Sequence, residues 1–234
     1  MISYGKNTFN EAIRNNRIIK AYCYADSPLI ELLKKNRVHY EICDKRKLDK
    51  LSNHAVHQGI VFEAKDYETY KLEDIIDGEN QLIVMLDNLE DPHNLGAILR
   101  TGDAIGIDGV IFKKNNSVGL SDTVAKVSTG AIEYVKCVEV VNLTDTIKKL
   151  KDQGYWIYGL EAGSEYDYST LDYDRKICLV VGSEGKGISR LVTEQLDYIV
   201  SLPMRGHVNS LNASNAAAIM LYQIYNNRVH KNKL

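Results

Sequence analysis

The chain has little that would mark a membrane, secreted or metal-bound protein. In 234 residues no apolar run approaches the roughly 18 needed to span a bilayer, and the opening Met-Ile-Ser-Tyr-Gly-Lys lacks the charged-then-apolar order of a secretory signal. Both absences point to the cytoplasm. Cysteines are few: Cys23, Cys43, Cys137 and Cys178 lie in strand-like apolar segments with no C-x-x-C spacing, which indicates neither a zinc site nor a disulfide framework and reads as reduced core thiols. His54 and His57 sit three apart without a further ligand cluster, so no metal is expected. Internal repeats and low-complexity tracts are absent. The basic balance usual in a nucleic-acid binder is missing as well, since the net charge is −2. That average hides an asymmetry: residues 1–65 hold 12 Lys/Arg against 7 Asp/Glu, leaving 17 against 24 for the remainder, so the N-terminal end is the better candidate for meeting phosphate, with a solvated lysine-rich surface as the equal alternative.

What is present divides into two α/β units. Residues 1–65 alternate helix and strand patterns: helix at 8–14, strand at 18–24, helix at 28–35, strand at 38–42, a short helix at 45–51 and a closing strand at 59–62. Ser27 before Pro28 makes a good helix start. Residues 66–80 turn polar and tyrosine-containing without a period and read as a linker, its tyrosines able to stack on bases. From 81 to 234 near-continuous apolar strands at 82–86, 109–112, 135–140, 156–160, 178–181 and 199–202 alternate with helices at 95–105, 145–153, 190–196 and 213–228. Such strands imply a parallel sheet covered on both faces. The last helix carries Ala213, Ala216, Ala217, Met220, Leu221, Ile224 and Tyr225 on one stripe.

In open α/β sheets ligands bind just beyond the strand ends, and three segments there carry chemistry. After the 82–86 strand, Asn94 can cap a helix, Gly96 permits close backbone approach, and Arg100 can hold a phosphate bidentately. After the 178–181 strand comes Gly182-Ser183-Glu184-Gly185-Lys186-Gly187, which is neither a dinucleotide G-x-G-x-x-G nor a P-loop; Glu184 is its only acid. After the 199–202 strand, Pro203-Met204 and Ser210-Leu211-Asn212 bring hydroxyl and amide groups to a helix entrance. Singly, each segment is as well explained by a capped helix or a tight turn. His93 and His207 flank the expected cleft as polar or RNA contacts or plain loop residues.

Together, and in this order, the three segments resemble the motifs of the SpoU family, also called TrmH, of RNA 2′-O-methyltransferases: Asn-x-Gly with a following Arg, Gly-Ser-Glu-Gly-x-Gly, and Pro-Met then Ser-Leu-Asn. Tyr4-Gly5 and the stretch from Ala55 to Ile60 make the first unit similar to the ribosomal-protein-like substrate-binding domain of the RlmB-like branch, which methylates a guanosine of 23S ribosomal RNA. The resemblance implies an α/β fold whose parallel sheet ends in a deep trefoil knot, S-adenosylmethionine as cofactor, RNA as partner, and a homodimer joined through the knot and the terminal helix, each subunit helping to complete the other's site. Carried over residue by residue, it makes Asn94, Arg100, Glu184, Ser210 and Asn212 catalytic or substrate-positioning. Thr129, Gly130, Gly182, Leu202 and Leu211 become cofactor-binding.

An arginine remains protonated, so Arg100 suits a phosphate clamp and a stabiliser of the forming alkoxide better than a base. The rival readings are a transfer-RNA or adenosine 2′-O-methyltransferase, and a catalytically silent RNA-binding assembly factor; the latter would lack motif polar residues that are all present here. An oxidoreductase would need the dinucleotide glycine pattern, which is not found.

Overall fold

The structure, a computed structural model, describes residues 1–115, 117–163 and 166–231, the last without its side chain. The first unit is built from β1 (Ile2–Tyr4), α1 (Lys6–Arg14), β2 (Ile18–Cys23), α2 (Leu29–Lys35), β3 (His39–Ile42), α3 (Lys45–Leu51) and β4 (Ile60–Ala64). Its sheet runs β1-β4-β2-β3, with β2 and β3 parallel and the other pairs antiparallel. Phe9, Ala12 and Ile13 of α1 press onto Ala21, Ile60 and Phe62, and the Phe9 and Phe62 rings meet edge-on at 5.7 Å. The helix at 45–51 is capped by Asp44, whose carboxylate accepts the Lys47 N–H at 2.9 Å. His57, half of the pair considered for a metal, is buried: Nδ1 accepts the Gly59 N–H, which leaves Nε2 to donate to Asp49. It is a turn-holding residue. Among the described residues no group of three His, Cys, Asp or Glu could hold a metal ion.

Residues 66–80 do not hang free as a linker. Tyr67 is buried beneath the Arg17 guanidinium, 3.6 Å from its ring centroid, so it offers no face to a base. Tyr70 donates its backbone N–H to Cys137, and Leu72 and Ile75, in a short 3-10 turn at Leu72–Ile75, are buried against the large sheet. The polar letters of this stretch concealed a sparse set of apolar anchors.

The second unit contains β5 (Leu82–Asp87), α4 (Pro92–Ile105), β6 (Gly109–Lys113), α5 (Asp122–Val127), β7 (Cys137–Val140), α6 (Leu143–Asp152), β8 (Trp156–Leu160), β9 (Tyr166–Asp167), β10 (Ile177–Gly182), α7 (Arg190–Thr193), β11 (Tyr198–Ser201) and α8 (Ala213–Lys231). The sheet order is β7-β6-β5-β10-β8-β11-β9, and every pair is parallel. Because side chains alternate along a strand, Val84, Leu86 and Leu179 face one core layer with Leu99 of α4 and Leu221 of α8. Ile83, Met85 and Val180 face the other with Ile147 and Leu150 of α6. The α8 stripe is buried at Ala213, Ala217, Met220, Leu221 and Ile224, whereas Tyr225 is 40% exposed. Among the described residues no helix is long and apolar enough to cross a membrane.

The units are fastened to each other. Arg17 pairs with Glu133 and donates to the Lys65 carbonyl; Ser3 donates to Asp122, and Tyr134 to Glu11. Burial outweighs the attraction of Arg17 and raises the Glu133 carboxyl above its ordinary value of 4.5.

Candidate active site

Strands β5 and β10 lie side by side in the middle of the sheet, with Gly182 in register with Asp87 at their C-terminal ends. After Gly182 the chain folds back on itself. Ser183 and Gly187 exchange two backbone hydrogen bonds of 3.2 and 3.0 Å, and Gly185 and Gly187 have φ of 82° and 65°. A Cβ on Gly182 would stand 2.3 Å from the Gly187 carbonyl carbon, so only glycine permits the fold-back. Two carboxylates pin the returning strand of the loop: Glu161, just past β8, accepts the Ile188 N–H at 2.9 Å, and Asp87 accepts the Ser189 N–H at 2.7 Å.

The loop forms one wall of a cleft of about 710 Å³. Residues 160–162, Leu202, Met204 and residues 209–213 line it as well. Of the expected cofactor residues, Gly182, Leu202 and Leu211 line this cleft, together with Ser210, Glu184 and Asn212. At its edge three polar side chains meet. Asn94 donates Nδ2–H to Glu184 at 2.9 Å, and Asn212 donates to Asn94 Oδ1 at 2.9 Å and also to Glu184. The amide orientation of Asn212 follows from its other contacts, since its Oδ1 accepts from Ser214 N at 3.0 Å at the start of α8. Asn94 is not the helix cap: Asp91 takes that place by accepting the His93 N–H, which frees Asn94, buried in the first turn, to reach Glu184. A second hollow of about 210 Å³ adjoins the first, sharing Ser183 and Glu184 with it and adding Asn94, Asn88, Glu90 and Asp91.

Three expected site residues stand elsewhere. Arg100 is exposed on α4 and lines neither cavity. Six helical residues from Asn94 amount to about 600°, which turns Arg100 roughly a third of a circle away. Thr129 is exposed, and Gly130 is buried at the seam between the units, where a Cβ would meet Glu11 Cγ at 2.3 Å. Neither lines the cleft.

Two further acids sit at strand ends, where ligands of open α/β sheets bind, without a motif in the sequence that marks them. Glu161 lines the cleft. Asp87 is fully buried, its Oδ1 lacks a hydrogen-bond partner among the described residues, and Lys113 Nζ stands 3.8 Å away. Lys113 also donates to Asn88 at 3.1 Å, which couples Asp87 to the second hollow.

Residues 81–222 match the model of the SpoU rRNA methylase family, and residues 2–70 match that of the RNA 2′-O ribose methyltransferase substrate-binding domain. The chain belongs to the SpoU rRNA methylase family. A protein of Staphylococcus saprophyticus, named for the TrmH family of tRNA/rRNA methyltransferases, is 41% identical over 240 residues, covering 97% of this chain and 96% of its own length. A Staphylococcus aureus protein of the same name is 43% identical over 236 residues, covering 96% and 95%. The SpoU methyltransferase AviRb of Streptomyces viridochromogenes, solved in complex with the cofactor AdoMet, shares the fold with a TM-score of 0.86 at 24% identity, over 98% of this chain and 90% of that one. As a SpoU-family member the chain is an RNA methyltransferase, an enzyme that acts on RNA ribose.

Proposed function

We propose that this enzyme transfers the methyl group of S-adenosylmethionine to the 2′-oxygen of a guanosine in 23S ribosomal RNA, in the cytoplasm. The observation that carries the reading is the meeting of two cavities at Glu184, which Asn94 of the smaller and Asn212 of the larger both hold. The larger has the room, the glycine-walled backbone and the anionic lining that suit a cationic nucleoside donor. The donor supplies a methyl already activated on a sulfonium, so the protein's work is alignment, which is worth up to about 7–11 kcal/mol. Asn94 and Asn212 hold Glu184 at the junction, where its carboxylate orients the acceptor hydroxyl. In the smaller hollow, which Lys186 also lines, Glu90 and the second oxygen of Asp91 offer hydrogen-bond acceptors, which complement the N–H donors of a guanine edge. The lysine- and arginine-rich first unit engages the phosphates of the surrounding RNA.

The reading includes a C-terminal segment threaded as a deep trefoil knot and a homodimer packed through it and α8. Ile219 and Tyr222, exposed on α8, give such a contact an apolar surface. Arg100, which faces away from its own cleft, then clamps phosphate at the partner's. The test is methyl transfer from labelled S-adenosylmethionine to a 23S peptidyl-transferase-region transcript and to a transfer-RNA pool, with ribose methylation mapped on each. One labelled ribosomal guanosine is the expected result. Label on transfer RNA or on an adenosine would refute the target, and donor binding without transfer to any RNA would make the chain a silent assembly factor.

A further inference from the structure

We infer that Glu161 makes the donor cleft selective for the cationic methyl donor over its neutral product, an inference that rests on the donor reading above. Glu161 is fixed at both ends. Its backbone N–H donates to Val200 at 3.0 Å, and its Oε1 accepts the Ile188 N–H at 2.9 Å. The absent Cβ of Gly187 would lie 2.7 Å from that same oxygen, so the carboxylate fills the space that the glycine leaves. Among the described residues the second oxygen has no hydrogen-bond partner, and the residue lines the cleft. Glu184, a second acid of the lining, has one oxygen, Oε1, held by Asn94 and Asn212, and these neutral amides fix it at the edge of the cleft while leaving its charge in place. Among the described residues no lysine, arginine or histidine lines the cleft to neutralise either carboxylate.

S-adenosylmethionine and S-adenosylhomocysteine differ by one methyl and one positive charge. Their shape contacts nearly cancel in a comparison of affinities, whereas their attraction to a fixed carboxylate does not. Two unit charges a few ångströms apart interact appreciably in a partly solvated cleft, and after discount for solvent screening the expected preference for the cation is about tenfold. The functional consequence is at product release: methyl transfer removes the charge that Glu161 holds, so the spent cofactor leaves rather than blocking the next donor.

Glu161→Gln separates charge from scaffold, because the amide oxygen still accepts the Ile188 N–H. Isothermal titration of the full chain with each of the two nucleosides is expected to show wild type preferring S-adenosylmethionine. The variant should bind the cation about tenfold more weakly and the thioether as before. Equal weakening of both ligands, or an unchanged ratio, would overturn the inference. In wild type, raising the ionic strength should narrow the preference while leaving thioether affinity in place. A preference that ignores salt overturns it without any variant. Wild type that binds neither nucleoside would instead remove the donor reading itself.

Discussion

Gly182→Ala tests whether the fold-back after β10 creates the donor cleft. The added methyl would stand 2.3 Å from Gly187 C, 2.4 Å from Gly187 O and 2.5 Å from Ile188 N, all of them backbone atoms. Ordinary carbon contacts lie at about 3.5–4.0 Å, so the loop must retreat by more than about 1 Å. It cannot do so freely, because Ile188 and Ser189 are tied to Glu161 and Asp87 on the adjacent strands. Retreat sacrifices the two Ser183–Gly187 bonds at about 1 kcal/mol each, and residual overpacking adds about 1–3 kcal/mol. A loss of about 3–5 kcal/mol corresponds to a fall in Tm of roughly 6–20 °C for a chain of this size. Differential scanning fluorimetry measures that fall, and titration calorimetry should show donor affinity reduced at least about tenfold, since the displaced backbone lines the cleft. Gly206→Ala is the control: among the described residues nothing lies within 4 Å of its added Cβ and its φ is not positive, so it should leave both quantities in place. A Gly182→Ala protein with Tm and donor affinity equal to the control would refute the argument that close approach, not mere flexibility, requires this glycine.

Four further outcomes follow from named contacts. Arg228 on α8 donates to the carbonyls of Asn80, Gln81, Tyr173 and Arg175, so Arg228→Ala should cost about 2–4 kcal/mol in urea unfolding, and Arg228→Lys, which lacks the planar fork, should recover only part of it. Arg17→Ala leaves Glu133 buried without its partner and should destabilise by about 3–5 kcal/mol at pH 7. Since the folded Glu133 pKa is raised above 4.5, its contribution to stability is fully present below the unfolded value and lost as pH rises through the folded one, so the deficit of the variant should shrink as pH is lowered toward 4.5; a deficit independent of pH would contradict it. Burial raises all four thiols, Cys137 to about 12, so at pH 8 a thiol reagent should modify the native chain slowly and at the partly exposed Cys43 first, with Cys23, Cys137 and Cys178 reacting only on unfolding. If Arg100 serves the partner's cleft, co-expression of Arg100→Ala with Asn212→Ala should restore about a quarter of wild-type activity through mixed dimers with one intact cleft, whereas an Arg100 acting in its own subunit restores none.

The large sheet was legible because parallel strands buried on both faces spell their position in unbroken apolar letters, as at Leu82–Asp87 and Ile177–Gly182. The motif segments were legible because function collects at the ends of those strands. Short elements escaped: β1 is three residues, held by pairing with β4 across sixty positions of chain, and α5 is less than two turns, fixed by Ser121 accepting the Val124 N–H. Their stability comes from partners distant in sequence, which a local pattern does not encode. The same reason explains the site residues that moved. Whether Asn94 caps its helix or turns to Glu184 depends on Asp91 reaching the free amide first, and whether Gly130 opens toward a ligand depends on where the first unit docks. In this chain Glu11 occupies the open side of Gly130 and also receives the Tyr134 hydroxyl, while Arg17 reaches past Tyr67 to Glu133 three residues on. A glycine expected to touch the cofactor thus lets a helix of the RNA-binding unit seat against the catalytic one. That seating ties the 129–134 segment to the first unit through Glu11 and Arg17, contacts that no local pattern in either segment spells out.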